Sequence, residues 1–500
     1  MKQYGLENIR NVVLLSHSGS GKTSFSEAAL FTAGVINRLG KVDEGTTTPD
    51  YDPDEIKRKI SINLKLLPCP WQDTKINIID TPGYPDFVGE VHSGIRVSEG
   101  VVILVCAASG VEVGTERVWG SVEQAGLPRL IVMNKMDREN ANFQRTLGEI
   151  KSKLGARCMP LQLPIGAQGD FQGVIDLLTM KAYLGSAAEA TEVPAALQEE
   201  ARSLREKLVE AVAELDDKLL EKYLGGEELS LEELSTGLRQ GVLAGKIAPV
   251  LAGSALKNIG IRWLLDAVCR YLPSPAEREF NVLSDSETKN FKPSPDAPLA
   301  ALVFKTTADP YVGKLTYFRV YQGVIQSNSQ VWNATRGENE RVGQLYLIRG
   351  KNQEGVPQIT AGDIGAVAKL NVTSTGDTLT VKDRPVRLPA VQFPAPIFSK
   401  AVYPRTKVDL DKMGNALSRL TEEDPTLHVS RDSRTGETIV SGMGDTHIDV
   451  AADKMLRKFG AAVELALPKV PYRETITVPT EAEFKHKKQT GGHGQYGHVL

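Results

Sequence analysis

The sequence predicts an α/β domain with a helical insert, then a small β-barrel domain, then a ferredoxin-like α+β domain. Three observations carry that reading. Apolar runs at residues 12–15, 76–79, 101–105, 130–133 and 249–251 punctuate the first half, as buried strands of a parallel sheet would. From Leu299 to about Val386 the segments become short and alternating, with glycine turns. Beyond Pro396 the order is strand, helix, strand, strand, helix, strand, the split βαβ pattern.

The first apolar run, Val12-Val13-Leu14-Leu15, leads into Ser16-His17-Ser18-Gly19-Ser20-Gly21-Lys22-Thr23. A helical pattern through Phe25, Ala28 and Ala29 follows. Strand, glycine-containing loop and helix in that order form a phosphate cradle. Loop N–H groups point at the anion, and the helix N-terminus adds its positive end. Lys22 would reach the outer phosphates, and the Thr23 hydroxyl would bind Mg²⁺. The strict pattern opens with glycine where this chain has Ser16. An ordinary Gly/Ser loop is therefore the competing reading until context is added.

That context follows in order. Strand residues 76–79 end in Asp80-Thr81-Pro82-Gly83. Asp80 can hold Mg²⁺ through water, and Gly83 leaves a backbone N–H for the γ-phosphate. Strand residues 130–133 end in Asn134-Lys135-Met136-Asp137. A carboxylate there accepts from both guanine N1–H and the exocyclic amine, whereas adenine offers neither donor in that arrangement. Residues 249–251 run into Gly253-Ser254-Ala255-Leu256, whose N–H groups could meet guanine O6. All four elements sit at carboxyl ends of strands, where open α/β sheets bind ligands. The first domain, residues 1–278, is thus expected to be an α/β P-loop GTPase domain binding GTP/GDP and Mg²⁺.

The formal net charge of 500 residues is −3, so no global basic field draws nucleic acid in. Cys69, Cys106, Cys158 and Cys269 lack paired spacing and read as reduced thiols of a cytoplasmic protein. No signal-peptide core and no membrane-length apolar run is present. The polar segment 37–62 reads as a switch loop that orders around a γ-phosphate, entering a strand at 58–62. Ser61 is its candidate Mg²⁺ ligand, beside Thr23 and Asp80; a plain surface loop is the alternative. Residues 156–248 read as an inserted packing subdomain. It has one long amphipathic helix from Leu197 to Tyr223 and a second opened by the Ser230/Glu233 capping box. A helix through Trp263, Val268 and Tyr271 closes the domain. Residues 279–298 read as a linker, 299–388 as the β-barrel and 397–475 as the ferredoxin-like domain.

The chain resembles translation elongation factor G, in an elongation-factor-G-like subgroup, over nearly its whole length. Beyond the nucleotide motifs, the resemblance rests on residues 309–315, 318–321, 333–335, 361–364, 422–426, 441–444 and 472–476. It implies five domains, ribosome-stimulated GTP hydrolysis, the ribosome as partner with tRNA and mRNA in a full-length form, and a monomer. By the same resemblance residues 476–500, with Gly491-Gly492-His493-Gly494-Gln495-Tyr496-Gly497-His498, open a fourth domain. The chain is then expected to be a truncated piece, unable as written to carry out family-like translocation. His486, His493 and His498, with Lys485, Lys487 and Lys488, read as a solvated or RNA-facing end rather than a metal site.

Three departures from the family stand inside the site. Ser61 replaces a threonine, and Gly19 replaces an aspartate tied to a monovalent cation. Tyr84 replaces the histidine after Asp-Thr-Pro-Gly, which makes Tyr84 the catalytic candidate together with Lys22 and Gly83. A phenol stays neutral near pH 7. Either it is a poor substitute and hydrolysis is slow, or its hydroxyl positions the attacking water. Two functions follow: a ribosome-stimulated GTPase acting in translocation or recycling, or a GTP-dependent ribosome-binding switch or protection protein with slow turnover.

Overall fold

The computed structural model describes the chain except residues 1, 156, 187–188, 285–286, 310–312, 476 and 490. Parts of the 309–315 and 472–476 stretches, and the first residue of the 156–248 insert, therefore lie outside the described residues.

The N-terminal domain is built on strands β1 (Ile9–Ser16), β2 (Lys65–Trp71), β3 (Thr74–Asp80), β4 (Gly100–Cys106), β5 (Arg129–Asn134), β6 (Cys158–Pro160) and, after the insert, Ala248–Ala252. Their order in the sheet is β2, β3, β1, β4, β5, the Ala248–Ala252 strand, β6. All neighbours run parallel except β2, which pairs antiparallel with β3. The central strands are buried on both faces, which is why they read as unbroken apolar runs. Helices α1 (Lys22–Thr32), α3 (Val88–Arg96), α4 (Val113–Gln124) and α5 (Phe143–Leu154) cover the faces, with the short α2 (Pro53–Arg58) between α1 and β2.

Several expectations need correction. The switch segment does not enter a strand at 58–62: it forms α2, capped by Asp52, and pairing begins only at Lys65. The expected insert is not wholly separate, because β6 is an edge strand of the main sheet. It also holds a three-stranded antiparallel sheet of β7 (Gln162–Ile165), β8 (Gly173–Asp176) and β9 (Lys181–Leu184). The single long helix is two, α6 (Gln198–Ala213) and α7 (Asp217–Leu224), because Asp216 accepts from the Lys218 and Leu219 amides and starts a new helix. The Ser230/Glu233 capping box is present at α8 (Leu231–Leu243). Ser230→Ala should cost about 1 kcal/mol, with a lower thermal midpoint and no change in nucleotide affinity. An unchanged midpoint would show that the cap contributes nothing. After the Ala248–Ala252 strand, α9 (Ile261–Tyr271) completes the domain.

The expected linker contains a hairpin, Phe280–Ser284 with Glu287–Phe291. The next domain is an eight-stranded antiparallel sheet with a two-stranded ribbon. Among the described residues its end strands, Glu338–Arg341 and Asn352–Val356, do not pair with each other, and the ribbon of Val324–Gln326 with Gln358–Thr360 lies beside them. Then come Phe398–Pro404, α10 (Lys407–Glu423), His428–Arg431, Thr438–Gly442, α11 (Asp445–Phe459) and Val463–Ala466. The first of these strands lies between the third and fourth, the ferredoxin-like order. An exposed hairpin, Phe484–Gln489 with Gly494–Val499, follows.

A buried polar network joins the first two domains. Arg319 pairs with Glu99, and Asn11 donates to Glu99 (2.9 Å) and to the Gly362 carbonyl (2.8 Å). Lys75, 2% exposed, holds Asp363 at 2.7 Å. The third domain rests on the switch segment: Arg457 holds Asp52 (2.9 Å) and Asp54 (2.5 Å), and Arg58 holds Asp453 (2.8 Å). No helix among the described residues is long and apolar enough to cross a membrane.

Candidate functional site: a nucleotide cleft at the carboxyl edge of the sheet

The loop from Ser16 to Thr23 leaves β1 and enters α1. Its last turn requires Gly21. The residue has φ +95°, and a Cβ there would stand 2.5 Å from Asn134 Nδ2. Lys22 is 6% exposed and donates to Ser16 Oγ at 2.6 Å, so the serine that departs from the strict pattern is a partner of the lysine. His17 is turned away: its Nδ1 accepts from the Gly114 amide (3.2 Å) and its Nε2 faces Glu112 (3.4 Å). Gly83 lies against the loop, where a Cβ would meet Lys22 Nζ at 2.6 Å and Ser18 Cα at 2.9 Å. Thr81 spends its hydroxyl on the Leu14 carbonyl (2.7 Å), tying the end of β3 to β1, and Pro82 is buried beside it. Tyr84 is 38% exposed.

Four oxygen-bearing residues gather around Lys22. Thr23 Oγ1 and Ser61 Oγ lie 3.0 Å apart, and Ser61 donates to Asp50 Oδ2 at 3.2 Å. Asp80 is 2% exposed, and neither of its oxygens has a hydrogen-bond partner; Asp50 Oδ1 is buried and unpartnered as well. Burial pushes the Asp80 carboxyl up, to about 7, and the Asp50 charge adds to this while Lys22 opposes it. Burial likewise raises Asp50, to about 6, with Glu55 adding to the shift. Burial lowers Lys22, to about 8, against the attraction of Asp80 and Asp50. Buried carboxylate oxygens without partners, two on Asp80 and one on Asp50, beside two hydroxyls form an all-oxygen donor set that fits a small hard cation. Asp50 was missed in the sequence because it sits in the polar switch segment with no motif around it.

The base motif holds the phosphate loop from behind. Asn134 Nδ2 donates to the Ser20 carbonyl (3.0 Å), and its Oδ1 accepts from the Ala255 amide (3.0 Å). Lys135 Nζ reaches the Gly19 carbonyl (2.7 Å). Met136 is buried and its amide donates to the Gly253 carbonyl (3.2 Å). Ser254 is buried, its Oγ accepting from the Lys257 amide (3.0 Å), and Leu256 is exposed. Asp137 is half-buried and has no ion-pair or hydrogen-bond partner among the described residues, so its carboxylate is free to accept. The structure thus brings residues 16–23, 80–84, 134–137 and 254–256 to one edge. The terminal histidines form no metal cluster among the described residues.

This fold and edge define a translation GTPase. The profile of the elongation factor Tu GTP binding domain matches residues 7–274. Those of elongation factor G domain 2, domain III and domain IV match residues 298–382, 393–467 and 468–500. The chain belongs to the elongation factor G family. It is 45% identical over 504 residues to elongation factor G of Thermotoga petrophila and, equally, to that of Thermotoga sp. strain RQ2. Each alignment covers 99% of this chain and 72% of the relative. The crystal structure of ttk003000868 from Thermus thermophilus is similar, with a TM-score of 0.85 and 36% identity over 99% of this chain and 72% of that one. Membership makes the chain a guanine-nucleotide-binding GTPase.

Proposed function

We propose that the chain binds GTP with Mg²⁺ at the edge of the sheet and hydrolyses it when it docks on the ribosome, in translocation or recycling. The observation that carries this is the buried, unpartnered Asp80 grouped with Lys22, Thr23 and Ser61. Thr23 and Ser61 would hold the cation through their hydroxyls, and Asp80 through water. The cation would shield the charge of the outer phosphates. Lys22 would leave Ser16 for those phosphates, and the loop amides of 18–23 would cradle them. The Gly83 amide would face the γ-phosphate, with Tyr84 next to it. Asp137 would accept from guanine, and the Ser254, Ala255 and Leu256 segment would meet O6. Residues 1–278 act as the nucleotide domain, and the domains after it carry the ribosome-facing surfaces, with tRNA and mRNA nearby. The working form is a cytoplasmic monomer.

Tyr84 decides the rate. If the phenol only replaces a better group, Tyr84→His should raise ribosome-stimulated single-turnover hydrolysis and Tyr84→Phe should change it little. A neutral phenol gives developing phosphate charge less stabilisation than an imidazolium does, which favours this outcome. Should the hydroxyl position the water, Tyr84→Phe would instead slow the step by ~10². Affinity for GTP should hold in both variants, since neither touches the phosphate loop. A large loss in Tyr84→Phe with no gain in Tyr84→His would make the hydroxyl a working catalytic group. The second reading, a slow ribosome-bound switch, draws on the same residue: Tyr84 stands 38% exposed and brings a phenol where the family has an imidazole.

A further inference from the structure

Two stretches of the third domain, Glu422-Glu423-Asp424-Pro425-Thr426 and Ser441-Gly442-Met443-Gly444, carry no chemistry of their own in the sequence. In the fold they meet the segment just beyond Tyr84. Helix α11 starts after Gly444, and no side chain at its own N-terminus caps it. The His447 amide, in the first turn, donates instead to Asp86 Oδ2 of the nucleotide domain at 3.3 Å. Gly444 makes room for this: a Cβ there would stand 2.3 Å from that oxygen. His447 is fixed from both sides of its ring. Nδ1 accepts from the Met443 amide (3.1 Å), which leaves the ring proton on Nε2, facing Asp424 Oδ2 at 2.9 Å. The ring also meets Phe87 edge-on, with centroids 5.8 Å apart. Thr426 closes over Gly89, where a Cβ would meet its Cγ2 at 2.7 Å.

First-turn amides of a helix lack intrahelical partners and carry its positive end, so a carboxylate there is held by hydrogen bond and dipole together. We propose that Asp86 is a positioning residue for GTP hydrolysis. It caps α11 from another domain and thereby fixes the loop that bears Gly83 and Tyr84. The coupling runs both ways: movement of that loop with the nucleotide uncaps α11, and displacement of the third domain releases the loop. The link to hydrolysis rests on the role given to Gly83 and Tyr84 above, whereas the cap itself does not.

The test uses the full chain with Asp86→Ala, Asp86→Asn and Gly444→Ala. Hydrogen exchange of the peptide opening α11, read by mass spectrometry, should quicken about tenfold in Asp86→Ala, the scale of a lost cap. It should stay near the parent in Asp86→Asn, because asparagine caps as well as aspartate. Single-turnover hydrolysis with ribosomes should fall about tenfold in Asp86→Ala and in Gly444→Ala, with affinity for a non-hydrolysable GTP analogue within about twofold. The double variant should be no slower than either single one, since both remove the same contact. Unchanged exchange in Asp86→Ala, a loss in Asp86→Asn equal to that in Asp86→Ala, or additive losses in the double variant would each overturn the proposal. A parent that ribosomes do not stimulate would count against the proposed function, and the exchange comparison would still decide the cap.

Discussion

Lys22→Ala is expected to weaken GTP binding on the order of 10²–10³-fold while leaving the domain folded. Lys22 is nearly buried, its ammonium sits on Ser16 Oγ, and Asp80 and Asp50 are its charge partners. Removing it takes away the one ammonium among these groups. It also leaves the buried Asp80 carboxylate without its counter-charge, an arrangement that costs roughly 3–5 kcal/mol when one partner of a buried pair is lost. Part of that cost falls on stability and part on the nucleotide, whose outer phosphates would face Asp80 and Asp50 with less positive charge to offset them. A loss of affinity on the order of 10²–10³ follows. Titration with a fluorescent GDP or GTP analogue reads it directly. Retained affinity in a folded Lys22→Ala protein would mean that the nucleotide binds elsewhere.

Asp137→Asn should weaken guanine nucleotides on the order of 10³-fold and create affinity for xanthine nucleotides. Charge-assisted hydrogen bonds are worth about 1.5–3 kcal/mol each, and the carboxylate accepts two from guanine. An amide keeps one acceptor and turns the other position into a donor. That donor opposes the guanine amine and suits the C2 carbonyl of xanthine. Asp137 is free of protein partners among the described residues, so the substitution disturbs little else. Competition between GTP and XTP for the variant reads the switch. An unchanged preference for GTP would remove Asp137 from the base contact and with it the reading of residues 134–137.

The placement of the candidate site was legible because its motifs are written in contiguous residues. Ser16 to Thr23, Asp80 to Gly83 and Asn134 to Asp137 each follow a buried strand, and each lands on the same edge of the sheet. Elements whose identity depends on tertiary partners were not legible. Strand β2 was misplaced because it contains Pro68 and Pro70, which lack the ladder N–H. An edge strand tolerates them, and β2 is at the edge. The break between α6 and α7 was hidden because the apolar spacing continues across it, while the Asp216 cap is a local competitor that periodicity does not register. The hairpin in the expected linker is held by pairing across Phe280 and Phe291, a contact that composition does not reveal. Asp50 and Asp86 escaped for a related reason. Asp50 gains its role only when the switch segment folds against Ser61, and Asp86 only when α11 arrives from the third domain.

GTP hydrolysis by this chain in a single turnover, with and without saturating ribosomes, tests the account most directly. Bound GTP should be cleaved slowly alone and markedly faster with ribosomes, and the stimulated rate should disappear in Lys22→Ala. Tight GTP binding with the same slow rate in the presence and absence of ribosomes would contradict it, and would leave a nucleotide-binding protein whose hydrolysis the ribosome does not control.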